Sequence, residues 1–183
     1  MLKLSENPAI LTPQVDSLVE LEGTWWAAYT RPRFEKVFAW DMQKRGIGYF
    51  LPMREKITFS GGRKRKVLAP LFSSYVFICG TEIDRYTAMA TNRLCHTIEI
   101  FDQEQLILEL AAIEKGLFNK AILDVYPNLV AGSRARITSG PMMGIEGIVI
   151  GKKHSRARMV LQVTMLGQGA LIEIDADLLE SID

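Results

Sequence analysis

The sequence predicts an α+β protein with two domains: an α/β sandwich with helices on a mostly antiparallel sheet, followed by a small all-β barrel. Helix-like and strand-like patterns alternate along the chain from Thr24 to Leu117. Half of the 14 glycines then lie in the last 53 residues, between short runs rich in Val, Ile and Leu. Residues 124–132 contain proline, asparagine and glycine, which is typical of a linker between domains.

Composition excludes several classes of protein. With 183 residues, 48% of them hydrophobic, and a net charge of +1, the chain is neither disordered nor fibrous. The longest stretch without a charge has 15 residues and contains Pro70, so we expect no membrane span and no membrane partner. The N-terminus lacks the features of a signal peptide, and the two cysteines, Cys79 and Cys95, fit a reducing compartment. We therefore expect a cytoplasmic protein.

The charges are segregated along the chain. Residues 24–80 hold eleven cations and three acids, whereas residues 81–130 hold four cations and eight acids. A local excess of cations fits a surface that meets nucleic acid or an acidic partner, because neutralising phosphates releases counterions. A basic face that meets only solvent is the other interpretation of this charge.

Residues 1–23, with four acids and no sustained period, are expected to be a loosely ordered leader of no assigned function. The aromatic, β-prone segment Thr24–Thr30 predicts a strand. Apolar residues at helical spacing predict a helix over Phe34–Arg45 that ends at Gly46. Tyr49–Pro52 predicts a short strand.

A hairpin is predicted next, with strands at Lys56–Phe59 and Arg63–Lys66 and a glycine turn at residues 60–62. Ser74–Cys79 then reads as a strand that is apolar on both faces, with Val76 and Ile78 on one face and Tyr75 and Phe77 on the other. In so small a domain, the second face needs either a further layer of the chain itself or a partner.

The first domain ends with a short helix at Glu82–Thr91, a strand at His96–Ile100 and a longer helix that begins at Asp102. Four regularly spaced strands make up the second domain. They are Arg134–Thr138, Ile145–Ile150, Met159–Thr164 and Ala170–Asp175. The predicted organisation is a leader at 1–23, an α/β domain at 24–122, a linker at 123–131 and a barrel at 132–183.

The start of the second domain resembles the KOW motif. It has Gly132 before the first strand, Gly140-Pro141 at a turn, Gly144 and Gly147. Gly140-Pro141 is expected to make a tight turn, Gly144 to permit a positive φ, and Gly147 to let the second strand pass close to the first. A generic hairpin is the other interpretation of this segment.

The first domain resembles the N-terminal (NGN) domain of the NusG family of transcription elongation factors, in which it precedes a KOW domain with an SH3-like fold. Three segments in order carry the resemblance: residues 25–36, beginning Trp25-Trp26; Phe50-Leu51-Pro52; and residues 70–77, beginning Pro70-Leu71-Phe72. The resemblance covers about residues 24–183. Within the family, the basic hairpin and the segments around Pro52 and Pro70 look most like the specialised paralogs, RfaH and the capsule-locus antiterminators.

The resemblance implies a transcription elongation or antitermination factor that binds the clamp helices of bacterial RNA polymerase through its N-terminal domain. It also implies which side chains form that contact surface. These are Phe50, Leu51, Phe72, Tyr75 and Phe77. The other interpretation is that the domain's own helices cover Tyr75 and Phe77.

In RfaH-like members, the basic hairpin and the start of the first helix face the non-template DNA strand, and cations beside aromatic residues suit single-stranded nucleic acid. The matching positions here are Arg31, Arg33, Arg63, Lys64, Arg65 and Lys66. The chain departs from the family at Ser73-Ser74, where proline followed by glycine or asparagine is usual.

The KOW domain of the family contacts the ribosomal protein NusE or the termination factor Rho. Here Met142 and Met143 lie at the tip of the KOW turn, where they either present an adaptable apolar contact or pack onto their own domain. We expect a monomer whose second domain stays a β-barrel, because its glycines disfavour refolding into helices.

We expect no enzymatic activity, since the sequence contains no phosphate-binding loop, dinucleotide loop or nucleophile elbow. We also expect no cofactor and no metal, because the cysteines and histidines lack the spacing of metal ligands. The alternative function is that of a KOW-containing RNA-binding protein associated with the ribosome.

Overall fold

The computed structural model describes residues 6–128 and 132–182. The chain divides into two compact units, Met1–Gln103 and Glu104–Asp183. Within the described ranges the chain forms three α-helices and thirteen β-strands, and all pairs of neighbouring strands are antiparallel. The structure thus has the α+β composition predicted from the sequence.

The first unit contains a five-stranded sheet and a separate two-stranded ribbon. The strands of the sheet are β1 (Leu11–Thr12), β2 (Thr24–Thr30), β3 (Gly48–Phe50), β6 (Tyr75–Gly80) and β7 (Leu94–Glu99), in the spatial order β1-β3-β6-β2-β7. The ribbon is formed by β4 (Met53–Ser60) and β5 (Arg63–Pro70), which pair with each other. The predicted hairpin is therefore present, and each of its strands is longer than expected.

Two helices cover one face of the five-stranded sheet. They are α1 (Glu35–Arg45) and α2 (Glu82–Met89). Phe38 and Met42 of α1 and Ala88 of α2 belong to the same buried cluster as Val76 and Ile78 of β6. Helix α1 ends where predicted, because Gly46 adopts the left-handed conformation with φ of 69°.

The leader differs from the expectation of loose order. Leu11 lies in β1, opposite Phe50 of β3, and is 8% exposed. Leu18 lies in a 3₁₀-helix and is fully buried. Burial of these apolar side chains anchors residues that composition alone assigns to a leader. Residues 1–5 of the predicted leader lie outside the described residues.

The second unit contains a six-stranded antiparallel sheet together with residues 104–118 of helix α3 (Gln103–Phe118). The strands lie in the order β13-β9-β10-β11-β12-β8. They are β8 (Ile122–Tyr126), β9 (Ser133–Ile137), β10 (Glu146–Lys153), β11 (Arg156–Val163), β12 (Gln168–Asp175) and β13 (Leu179–Ser181). Four of them match the predicted strands of the second domain.

Strands β8 and β13 are additions to the predicted fold. Strand β8 begins at the last residue assigned to the α/β domain and continues into the predicted linker, and it pairs with β12, with Ala170 opposite Val125. The predicted domain boundaries stay a prediction, because compactness does not test which segments fold independently. None of the described helices is long and apolar enough to span a bilayer.

Candidate functional site

Strand β6 lies at the centre of the five-stranded sheet, with β3 on one side and β2 on the other. Its side chains alternate as predicted, since Val76 and Ile78 join the core beneath the two helices. Tyr75 and Phe77 lie on the opposite face. There they stand directly across from Tyr29 and Ala27 of β2. The candidate contact surface is therefore on the face away from α1 and α2.

Burial corrects four of the five residues assigned to the polymerase contact. Phe50, Leu51, Phe72 and Phe77 have no exposed surface. Phe50 and Phe77 are cross-strand partners in the middle of the sheet, and Leu51 belongs to the core on the helix side. Fully buried side chains cannot touch a partner in this conformation, so these four support the fold and do not form a contact surface. Of the five, Tyr75 alone is partly exposed.

Tyr75 lies in a small aromatic cluster at one end of the sheet. Its ring centroid is 5.2 Å from that of Tyr29, and the Tyr29 ring is 5.2 Å from the imidazole of His96. His96 lies opposite Tyr29 in β7 and is exposed, whereas both tyrosines are half-buried. Burial, followed by the nearby Tyr29, raises the pKa of Tyr75. The three rings form a fixed aromatic surface that reaches solvent.

A buried carboxylate holds the turn that precedes Tyr75. The backbone N–H of Ser74 donates to Oε1 of Glu35 at 2.7 Å, and Glu35 is only 7% exposed. Ser74 has a positive φ of 66°, a conformation that glycine and asparagine adopt most readily. The carbonyl of Ser74 also accepts from the N–H of Thr30 at 2.8 Å. The departure at Ser73-Ser74 therefore keeps a tight, hydrogen-bonded turn.

Cations flank this aromatic cluster. Arg31 and Arg33 follow Tyr29 directly after β2 ends, and both are exposed. The N–H of Arg31 donates to the carbonyl of Arg93, which follows α2. The guanidinium of Arg93 lies 5.7 Å from the ring of Phe34 and pairs with Asp41 at 3.1 Å. The two exposed arginines are thus tied to the same end of the sheet as Tyr29 and Tyr75.

The other predicted cations lie on the ribbon formed by β4 and β5. All four are exposed, and they occupy consecutive positions at the start of β5. These residues are Arg63, Lys64, Arg65 and Lys66. The turn before them is built by Gly61 and Gly62, which have φ values of 58° and 72°. Two successive positive φ angles are typical of the tight turn that joins paired antiparallel strands.

The KOW-like segment forms the turn between β9 and β10. The N–H of Met143 donates to the carbonyl of Gly140 at 3.0 Å, which closes the expected tight turn at Gly140-Pro141. Gly140 and Gly144 both have positive φ, 83° and 87°. The two methionines differ, because Met142 is 6% exposed and packs into its own unit, whereas Met143 is 60% exposed.

Two glycines of this segment lie close to neighbouring strands. Gly147 lies opposite Ala135 of β9, and a Cβ on it would lie 2.7 Å from Cγ of Met159 and 2.8 Å from the carbonyl oxygen of Val160 in β11. A Cβ on Gly132 would lie 2.8 Å from the carbonyl oxygen of Val149 in β10. Both positions need glycine because neighbouring strands approach closely there.

Sequence reasoning missed Tyr29, His96 and Phe59 as candidate contact residues. Tyr29 and His96 become candidates only through their cross-strand positions beside Tyr75, which depend on pairing between distant segments. Phe59 is 75% exposed near the tip of the ribbon, and the alternating pattern of its strand gives no sign of which face lies beyond the core. Across residues 6–128 and 132–182, no group of three or more potential ligands could hold a metal ion.

Comparisons with known proteins found a family model and solved structures to which this chain is similar. Residues 23–107 match the model of a family described as transcription termination factor nusG. A solved structure described as domain interaction in Thermotoga maritima NusG is 19% identical, with a TM-score of 0.46, over 88% of this chain and 98% of that one. The MjSpt4:Spt5 complex, in a form called conformation B, contains a chain that is 18% identical with a TM-score of 0.26, over 87% of this chain and 97% of that one. No curated protein matches the sequence. Residues 23–107, which include the aromatic cluster and the ribbon, are therefore similar to the NusG family.

Proposed function

We propose that the protein is a cytoplasmic transcription elongation or antitermination factor that binds the clamp helices of bacterial RNA polymerase through its N-terminal domain. The observation that carries this proposal is the cluster of Tyr75, Tyr29 and His96 within the NusG-family region. Partly exposed aromatic side chains that are already held in place lose little entropy on binding, which is why they dominate many protein interfaces.

The surroundings of the cluster support a protein contact that continues onto DNA. Arg31 and Arg33 lie beside it, and the cations of the ribbon belong to the same unit. We propose that Arg31, Arg33 and Arg63 to Lys66 meet the non-template DNA strand. This is the arrangement of the RfaH-like and capsule-locus paralogs, and the Leu51-Pro52-Met53 and Pro70-Leu71-Phe72 segments support the same sub-assignment.

We further propose that the second unit acts as a KOW domain that recruits NusE or Rho, with the protein working as a monomer. The support is the glycine pattern of the turn between β9 and β10, together with the exposed side chain of Met143. A flexible thioether at a turn can adapt its shape to a partner. Met142 is buried and is therefore not part of the proposed contact.

The experiment that tests the polymerase contact is a binding titration of the full chain against core RNA polymerase. Tyr75→Ala should weaken binding by about 30-fold or more if this ring is a hot spot of the interface. Tyr75→Phe should keep most of the affinity, because the ring remains. Tyr86→Ala is the matched control, since Tyr86 is 62% exposed on α2 and stacks on Arg85, away from the cluster.

Thermal unfolding of each variant separates a lost contact from a lost fold. The proposal holds if Tyr75→Ala loses affinity while it melts cooperatively near the wild-type temperature. If the wild-type protein does not bind polymerase but binds ribosomal RNA tightly, the ribosome-associated alternative is supported instead.

A further inference from the structure

The ribbon carries an apolar stripe that continues past the core. On one of its faces, Met53 at the base is 2% exposed and Leu68 packs against the main buried cluster. Farther along the same face, Ile57 is 49% exposed and Phe59 is 75% exposed. The strand register places these four on one side, since residues two apart share a face and Glu55 lies opposite Leu68. The core accounts for the base of the stripe, whereas Ile57 and Phe59 are exposed to solvent.

Cations accompany the outer part of this stripe. Lys64 lies directly opposite Phe59, and Lys66 lies directly opposite Ile57. Both lysines are exposed, and Lys66 also pairs with Glu55 at 3.2 Å. An exposed aromatic ring between ammonium groups is the combination found where proteins stack nucleic-acid bases.

The other face of the ribbon carries four cations among uncharged residues. The register places Arg65 opposite Thr58, Lys56 opposite Val67, and Arg63 at the turn. Arg54 lies on this same face, and no acidic residue does. Cations spaced along a narrow ribbon match the repeat of negative charges along a phosphate backbone.

We propose that the outer ribbon binds single-stranded DNA with a different function for each face: Phe59 stacks on a base while Arg63, Lys56 and Arg65 neutralise phosphates. This inference rests on the DNA contact in the proposed function and deepens it. It adds Phe59 to the residues that contact DNA, and it assigns base stacking to one face of the ribbon and phosphate binding to the other.

The residue types around Phe59 favour DNA as the occupant. In duplex DNA the faces of the bases are already stacked on each other, so an inserted ring must first unstack them, whereas a single strand offers them without that cost. The nearest side chains on the same face as Phe59 are Ile57, Lys64 and Lys66, none of which accepts a hydrogen bond. Glu55 lies farther along this face, and its carboxylate pairs with Lys66. A 2′-hydroxyl of RNA placed against Ile57 and Phe59 would lose its hydrogen bonds to water, and neither side chain offers an acceptor in exchange. A second copy of this chain is disfavoured as the partner of this face, because Lys64 and Lys66 of the two copies would repel each other.

The test is fluorescence anisotropy of the full chain with labelled oligothymidylate of about 15 nucleotides, with oligouridylate and duplex DNA as separate arms. Phe59→Ala should weaken binding to oligothymidylate by about 5- to 100-fold, with the salt dependence unchanged, because stacking releases no counterions. Phe59→Trp should restore binding. Arg63→Gln with Arg65→Gln should instead reduce the slope of log affinity against log salt by about 0.7 for each lost phosphate contact.

Phe101→Ala is the matched control, because Phe101 is 97% exposed in the same unit but lies outside the ribbon. The inference is supported if Phe59→Ala loses affinity for oligothymidylate and Phe101→Ala does not. It is overturned if Phe59→Ala binds as wild type does, if oligouridylate or duplex binds at least as tightly, or if wild-type protein fails to bind oligothymidylate. Polymerase binding by the Tyr75 variants is measured without DNA, so failure of the DNA contact and failure of the polymerase contact are distinguishable.

Discussion

The centre and the periphery of the N-terminal unit use the same residue types in opposite ways. Phe77 lies in β6, which is paired on both sides, and has no exposed surface. Phe59 lies in β4, which pairs with β5 outside the main sheet, and is 75% exposed. Both are aromatic residues in alternating strands. The position of a strand in the sheet therefore decides whether its aromatic residue stabilises the fold or is available to a partner.

The two cysteines should show this contrast most strongly. Cys79 of β6 is buried, and burial raises the pKa of its thiol to about 11, whereas Cys95 of the edge strand β7 is exposed. Because the thiolate is the reactive form, we expect an aromatic disulfide reagent near pH 8 to label Cys95 at least about 1000-fold faster than Cys79. Mass spectrometry of timed samples measures both rates.

The control for the thiol experiment is Cys95→Ser, which should abolish the fast phase and leave only slow labelling. In denaturant both thiols should react alike, since the protection of Cys79 comes from the fold. Comparable labelling rates for Cys79 and Cys95 in native protein would contradict the placement of β6 at the centre of the sheet.

Removal of the two phenylalanine rings is the next largest test. Phe77→Ala should lower the free energy of unfolding by about 3–5 kcal/mol, because it leaves a cavity among buried side chains. Phe59→Ala should change it by less than about 0.5 kcal/mol, because the ring is mostly in water. Urea unfolding followed by circular dichroism measures both values. Equal losses for the two variants would mean that the ribbon is part of the core.

Much of this contrast could not be read from the sequence. The alternation of Val76 and Ile78 with Tyr75 and Phe77 predicts the two faces of β6, and the structure confirms that division. Alternation is a local property, however, and does not specify what covers each face. Assigning the outer aromatic residues to a partner therefore stays a prediction for Tyr75, which is partly exposed, whereas Phe77 has no exposed surface to offer.

The fold was predictable where local patterns are strong. Strand β2 has the predicted bounds, Thr24–Thr30, and α1 ends at the predicted glycine. Short strands such as β1 and β13 were missed, because two or three residues carry no period and are defined only by a distant partner. The site was less predictable for the same reason, since Tyr29, Tyr75 and His96 meet only through pairing of β2, β6 and β7.

The smallest expected effect concerns the ion pair of the ribbon. Lys66 and Glu55 lie 3.2 Å apart, with side chains 66% and 53% exposed. Glu55→Gln should change the free energy of unfolding by less than about 0.5 kcal/mol, because exposed pairs gain little over hydrated charges. The same change removes the only acid between Met53 and Pro70, so affinity for oligothymidylate should rise, and more so at low salt. If Glu55→Gln lowers the free energy of unfolding and does not raise the affinity for oligothymidylate, the ion pair stabilises the fold. If the affinity rises and the stability is unchanged, the charges of the ribbon act in DNA binding.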